Sequence, residues 1–110
     1  MVTFQNSITA EKLGQLMDMP DRPVILDARR AKAFEKSDQI IPIAEWINHE
    51  KAAECATGLP EGASAIVYCV HGHEVSQNAA EALRSVGVDA VFLDGGIEGY
   101  IEVGFETEKK

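Results

Sequence analysis

Basic residues are scarce in this chain. Ten Lys and Arg stand against eighteen Asp and Glu, leaving a net charge of −8. So little positive surface cannot neutralise a phosphate backbone, which excludes nucleic acid and anionic membranes as partners. The same field repels small anions, so an anionic substrate has to be held by local groups. Cysteine is equally sparse, with Cys55 and Cys69 alone. No Cys-x-x-Cys pair is present, which excludes a thioredoxin-type dithiol site, and two cysteines make no disulfide framework. No apolar run approaches the ~20 residues that span a bilayer. The first residues have neither the basic start nor the apolar stretch of a signal peptide. A cytoplasmic setting, where thiols stay reduced, is therefore expected. Repeats, low-complexity tracts and linkers are absent too. The 110 residues have room for one core, and a single domain over 1–110 is expected.

Three short β-rich runs stand out: residues 23–27, 65–69 and 90–94. Each is nearly continuous in apolar residues, as parallel strands covered on both faces require. Helical patterns lie around them. Thr9 is placed to cap a helix from 10 to about 17, with Leu13, Leu16 and Met17 on one face. Residues 30–35 read as a short helix, and Asn48 starts another that ends near 58. Val75, Ala79, Ala82, Leu83 and Val86 recur at helical spacing, and Gly87 is placed to end that helix. A last short helix follows Gly95 and Gly96. The alternation predicts an α/β fold with about five mainly parallel strands and helices on both faces. Sites in such sheets form at the C-terminal ends of strands, so Asp27, Cys69 and Asp94 are expected to share one edge.

The richest stretch runs from Ala65 to Ser76. A buried strand delivers Cys69 to a Gly-containing loop, and a helix opens directly afterwards. Backbone N–H groups of residues 70–76 and the helix N-terminus can then point at the sulfur, favouring a thiolate and cradling an anion beside it. Cys69 is read as a nucleophile. Cys55 lies inside a helical pattern, where a small half-buried residue is the expected role.

On these residues the chain resembles a rhodanese (sulfurtransferase) homology domain over almost its full length. Val24-Ile25-Leu26-Asp27-Ala28-Arg29 is similar to that family's early strand ending in Asp-x-Arg. Ile40-Ile41-Pro42-Ile43-Ala44 is similar to its Ile-Pro-Gly-Ala stretch, with Ile43 in place of the usual Gly. Ile66-Val67-Tyr68-Cys69 and the following loop resemble the active-site strand and loop. Leu93-Asp94-Gly95-Gly96-Ile97-Glu98-Gly99-Tyr100 resembles the closing Asp-Gly-Gly motif, with Tyr100 where Trp is common. The resemblance implies a cycle. The Cys69 thiolate takes sulfane sulfur from a small donor (thiosulfate, a polysulfide or a persulfide), and the resulting persulfide passes it to cyanide or a thiol, including a protein thiol. It implies no cofactor.

The loop departs from that family's pattern. Val70, His71, Gly72, His73, Glu74, Val75 and Ser76 include no Arg or Lys to hold an anionic donor. Glu74 either faces the sulfur, disfavouring thiosulfate, or faces outward in the first turn of the next helix, where a carboxylate is favourable. His71 and His73 either flank Cys69, where each can stabilise the thiolate or shuttle a proton, or bond a loop carbonyl. Metal binding by Cys69, His71 and His73 is not expected, because three ligands within five residues are hard to set tetrahedrally around one ion. His49, at a helix start, reads as a surface residue. Arg29 either pairs with a nearby carboxylate or reaches into the mouth of the site as the missing cation, and Arg30 is the adjacent alternative. Asp94 is placed to bond loop amides, Trp46 reads as a packing residue, and Glu98, Glu102, Glu106 and Glu108 read as solvated.

Three functions compete on this reading: persulfide-forming transfer, phosphate-ester hydrolysis, and non-catalytic interaction or redox sensing. Cysteine phosphatases of the same fold need an Arg at the loop's end, and position 75 is Val, which sets that function aside. The run from Tyr68 to Gln77 is also similar to rhodanese-like segments of bacterial chromate-resistance proteins, where a reactive thiol senses or reduces an oxidant. Transfer and sensing diverge at Cys69, which stops at a persulfide in one and moves to sulfenic acid in the other.

Overall fold

The computed structural model describes residues 7–20, 22–59, 62–72 and 74–110. In chain order the elements are β1 (Ser7–Ile8), α1 (Ala10–Met17), β2 (Val24–Asp27), α2 (Ala31–Lys36), β3 (Gln39–Ile40), β4 (Glu45–Trp46), α3 (Ala52–Cys55), β5 (Ser64–Tyr68), α4 (Glu74–Ser85), β6 (Asp89–Leu93), α5 (Gly96–Glu102) and β7 (Glu108–Lys109). Single 3-10 turns flank α3 on both sides. Thr9 caps α1 by accepting from the Lys12 amide, and Asn48 accepts from the Glu50 amide at the turn before α3. Among the described residues no helix is long and apolar enough to cross a membrane.

Five strands form one parallel sheet in the order β1-β6-β5-β2-β4. Its two faces are read directly from strand alternation. Ile25, Ile66 and Tyr68 point to one side and pack with Leu13, Ile97 and Tyr100 of α1 and α5. Leu26, Ala65 and Val67 point to the other and pack with Ala52, Ala79, Ala80 and Leu83 of α3 and α4. Both faces are thus covered by helices, which is why β2 and β5 carry unbroken apolar runs. A second, antiparallel pair joins β3 to β7. Neither β3 and β7 nor the two-residue edge strands β1 and β4 carry a sequence signal, since two residues show no periodicity. Glu108, read as solvated, is exposed but pairs with Ile40 in this ribbon.

The sharpest departure from solvent logic is a charged group inside. Asp27 is 0% and Arg29 2% exposed. The Asp27 carboxylate accepts from the Arg29 amide, Nε and Nη2 (the last at 2.6 Å) and from the Tyr68 hydroxyl at 2.9 Å. Arg29 Nη2 also donates to the Gln39 carbonyl, and the Ile41 amide donates to the Tyr68 oxygen. Burial, then the Asp27 carboxylate, holds the Tyr68 hydroxyl well above the usual tyrosine range, which keeps it a neutral donor. The guanidinium lies 5.2 Å from the Phe34 ring centroid. The indole of Trp46 packs on Phe34 and donates through Nε1 to the Arg29 carbonyl at 2.8 Å, in keeping with a packing role.

One residue is bent against its preference. Ile43, half exposed, has φ +65°, the left-handed region that a β-branched residue adopts at a cost. The Ile-for-Gly departure read from the sequence falls on the turn that glycine suits.

Two outcomes follow for urea denaturation. Ile43→Gly is expected to raise stability by about 0.5–1 kcal/mol, relief of left-handed strain exceeding the glycine entropy cost. Asp27→Ala, which leaves Arg29 charged and unpaired inside, is expected to lower it by about 3–5 kcal/mol.

Candidate active site

β5 is a central strand, paired with β2 on one side and β6 on the other. It ends at Tyr68, one residue earlier than the sequence pattern predicts, so Cys69 is the first residue of the loop. The reason is local: the Cys69 carbonyl accepts from the Ile97 amide at 2.9 Å, and the Val70 carbonyl accepts from Glu98 at 3.1 Å, so these groups bond α5. Asp27, Cys69 and Asp94 each lie at the C-terminal end of their strand, on one edge of the sheet.

Two glycines permit this docking. At Gly96 (φ +62°) an added Cβ would collide with the carbonyls of Cys69 and Val70. At Gly72 (φ +77°) it would lie 2.6 Å from the Gly95 nitrogen and 2.8 Å from the Leu93 oxygen. Any side chain at either place pushes the loop off the sheet edge. Gln77 Nε2 secures the loop from the next helix by donating to the Gly72 carbonyl at 3.1 Å. The amides of Val70 and Gly72 make no backbone hydrogen bond among the described residues.

Cys69 is only 6% exposed, and its thiol donates to Ser76 Oγ at 3.1 Å. Ser76 itself is 0% exposed, in the first turn of α4. Its amide figured in the sequence reading, but its hydroxyl did not. The available signal was a hydroxyl at the head of the buried helix face that continues through Ala79, Ala80 and Leu83. Cys55 differs. It is half-buried, its thiol lies 3.7 Å from the Lys51 carbonyl, and burial followed by the Glu54 and Glu45 carboxylates pushes that thiol up. A thiol kept protonated is a poor nucleophile.

Cys69 opens into a cavity of about 190 Å³ lined by Arg30, Ala33, Cys69, Val70, His71 and Val75. His71 is thus brought to the thiol's cavity. Glu74 is exposed in the first turn of α4 and does not line the cavity, which matches its outward reading. His73 lies outside the described residues. Arg29 does not supply the missing cation, because its guanidinium is buried against Asp27; the Arg at the cavity is Arg30. Ala33 was missed, although it follows Arg30 by three positions and α2 places the two on one face. The Asp94 carboxylate is exposed and makes no hydrogen bond among the described residues, so the bonds to loop amides expected of it are not formed there. The loop is held instead by α5 amides donating to loop carbonyls. His49 is half-buried at its 3-10 turn. Among the described residues no group of three or more His, Cys, Asp or Glu is placed to hold a metal ion.

The rhodanese-like domain model matches residues 9–102. A rhodanese-related protein from Thermoplasma volcanium is 28% identical, with a TM-score of 0.80 over 96% of this chain and 99% of that one. A rhodanese-like domain protein from Staphylococcus aureus is 25% identical, with a TM-score of 0.78 over 96% and 98%. A thiosulfate sulfurtransferase from Pseudomonas aeruginosa, 21% identical, shares the fold with a TM-score of 0.79 over 94% of this chain and 19% of its own. No curated protein matches. With a family model spanning most of its length, the chain belongs to the rhodanese-like domain family.

Proposed function

We propose that the protein is a sulfurtransferase in which Cys69 carries sulfane sulfur as a persulfide. The observation that carries this reading is the placement of Cys69. Its thiol sits at the end of a central strand, bonded to a buried hydroxyl and facing a cavity large enough for a small donor. With thiosulfate, the Cys69 thiolate attacks the outer sulfur. The S–S bond of the donor breaks, and sulfite leaves with its electron pair. The product, Cys69–S–S⁻, is attacked at its terminal sulfur by an acceptor thiolate, which takes that sulfur and returns Cys69 as a thiolate.

Each sulfur anion in this cycle needs donors that do not themselves react with it. The Ser76 hydroxyl, which accepts from the thiol, rotates to donate once the proton is gone. Backbone amides of residues 70–72 and 74–76, at the start of α4, supply the rest of the cradle. His71 lines the same cavity. Donor and acceptor are both small sulfur compounds or thiols, and the chemistry asks for no cofactor.

Intact mass after incubation with thiosulfate or a polysulfide tests the cycle. The expected result is a gain of about 32 Da, kept in Cys55→Ser and lost in Cys69→Ser. No gain from any donor, with Cys69 instead oxidised to sulfenic acid by peroxide, would overturn transfer in favour of redox sensing. Ser76→Ala should retain the fold by circular dichroism. It is expected to slow both persulfide loading and iodoacetamide alkylation of Cys69 at neutral pH by about ten-fold, the worth of a hydrogen bond to a charged group.

A further inference from the structure

Away from Cys69, a second hollow of about 370 Å³ opens where the chain enters β2. Pro20, Arg22, Pro23, Val24, Ile43 and Glu45 line it. Ile43 and Met19, the residue before Pro20, are each half exposed, so large apolar side chains stand in water beside an apolar hollow. The adjoining β4 is the last strand of its sheet, and no described strand covers its outer side. Ile43 also keeps a φ of +65°, which glycine adopts without cost. Strain retained for an exposed side chain calls for a use of that side chain outside the chain's own core.

Arg22 and Glu45 give this hollow one charge of each sign. Both are exposed, and neither side chain enters a hydrogen bond or ion pair among the described residues. The Arg22 backbone is fixed by its amide, which donates to the Met19 carbonyl at 3.3 Å, and Glu45 is fixed by the pairing of β4 with β2. The two charges thus share one surface without satisfying each other. An acidic partner would meet Glu45, a basic one would meet Arg22, and a neutral apolar one would leave both unmatched. A patch with an apolar knob, an apolar hollow, a cation and an anion is complementary to itself under two-fold rotation.

We infer that this face joins two copies of the chain in a two-fold dimer. Ile43 of each copy enters the hollow of the other against Pro20 and Pro23, and Arg22 of each meets Glu45 of the other. The net charge of −8 opposes any approach of two copies, so association needs a face whose own charges are matched. Val24 lies at the start of β2, in register with Ala65, whereas Cys69 follows the far end of β5. Both Cys69 cavities therefore stay open in the dimer, and the inference is independent of the sulfur chemistry. The contact is small, and a dissociation constant on the order of 10–100 µM is expected.

Sedimentation equilibrium of the full chain reads the association, with reductant present so that neither cysteine forms a disulfide. At about 0.15 M salt the net repulsion is screened beyond roughly 8 Å. Arg22→Glu and Glu45→Arg, each alone, set like charges face to face across the axis and are expected to weaken the dimer at least about ten-fold. An equimolar mixture of these two variants carries the same total charge as the wild type and pairs opposite charges at both contacts. It is expected to form a heterodimer within about three-fold of wild-type affinity. Ile43→Gly should also weaken the dimer about ten-fold. Its urea midpoint, measured at a concentration where the chain is monomeric, should not fall, which separates a lost contact from a lost fold. A wild type still monomeric at about 1 mM would overturn the inference and leave the hollow to a different partner. So would a dimer that none of the three substitutions weakens, or a mixture that stays monomeric.

Discussion

The ion pair between Asp27 and Arg29 is the constraint around which the rest of this molecule is arranged. Two charges excluded from water are tolerable only when their hydrogen-bonding capacity is filled, and here the carboxylate receives four donor groups. Filling it draws in distant parts of the chain. Tyr68 comes from β5, and Gln39 accepts from the guanidinium on the way into the β3–β7 ribbon. Trp46 of the edge strand closes the far side through the Arg29 carbonyl. The network therefore specifies both the register of β2 against β5 and the path of the segment between β2 and β4. It also has a functional consequence, since it removes Arg29 from the candidate site and leaves Arg30 as the charge at the cavity.

A second constraint is steric and acts on the opposite side of β5. The backbone of residues 93–97 approaches the loop so closely that only hydrogens fit on two α-carbons, that of Gly96 against the carbonyls of Cys69 and Val70 and that of Gly72 against Leu93 and Gly95. Bonding those carbonyls to α5 turns the chain out of the sheet directly after Tyr68. The thiol is thereby presented at the strand end against Ser76. Sheet, ion pair and glycine contact together hold one sulfur at a defined place beside one cavity, and positioning of that kind is what nucleophilic chemistry requires.

Much of this was legible in the residues alone. Central strands, capped helices and the Cys69 loop carry strong local signals: apolar runs, Thr9 and Asn48 at helix starts, and glycines where turns must be tight. Ile43 was legible as an oddity, and its positive φ supplies the physical meaning. The short strands were not, because strands of two residues are made by their neighbours rather than by their own pattern. The hydroxyl of Ser76 and the wall residue Ala33 were not legible either. Their relation to Cys69 comes from packing between elements that are separate in sequence.

By itself, then, the amino-acid order determined an α/β fold with a thiol at a strand end and a loop without Lys or Arg. These follow from periodicity and local backbone preference, which act over a few residues. Which of two adjacent arginines is buried and which meets the cavity was decided only in three dimensions. So was the placing of Glu74 away from the cavity. Asp27 can hold just one guanidinium, and the competition for that buried carboxylate is settled by Tyr68, Gln39 and Phe34, none of which is a sequence neighbour of Arg29.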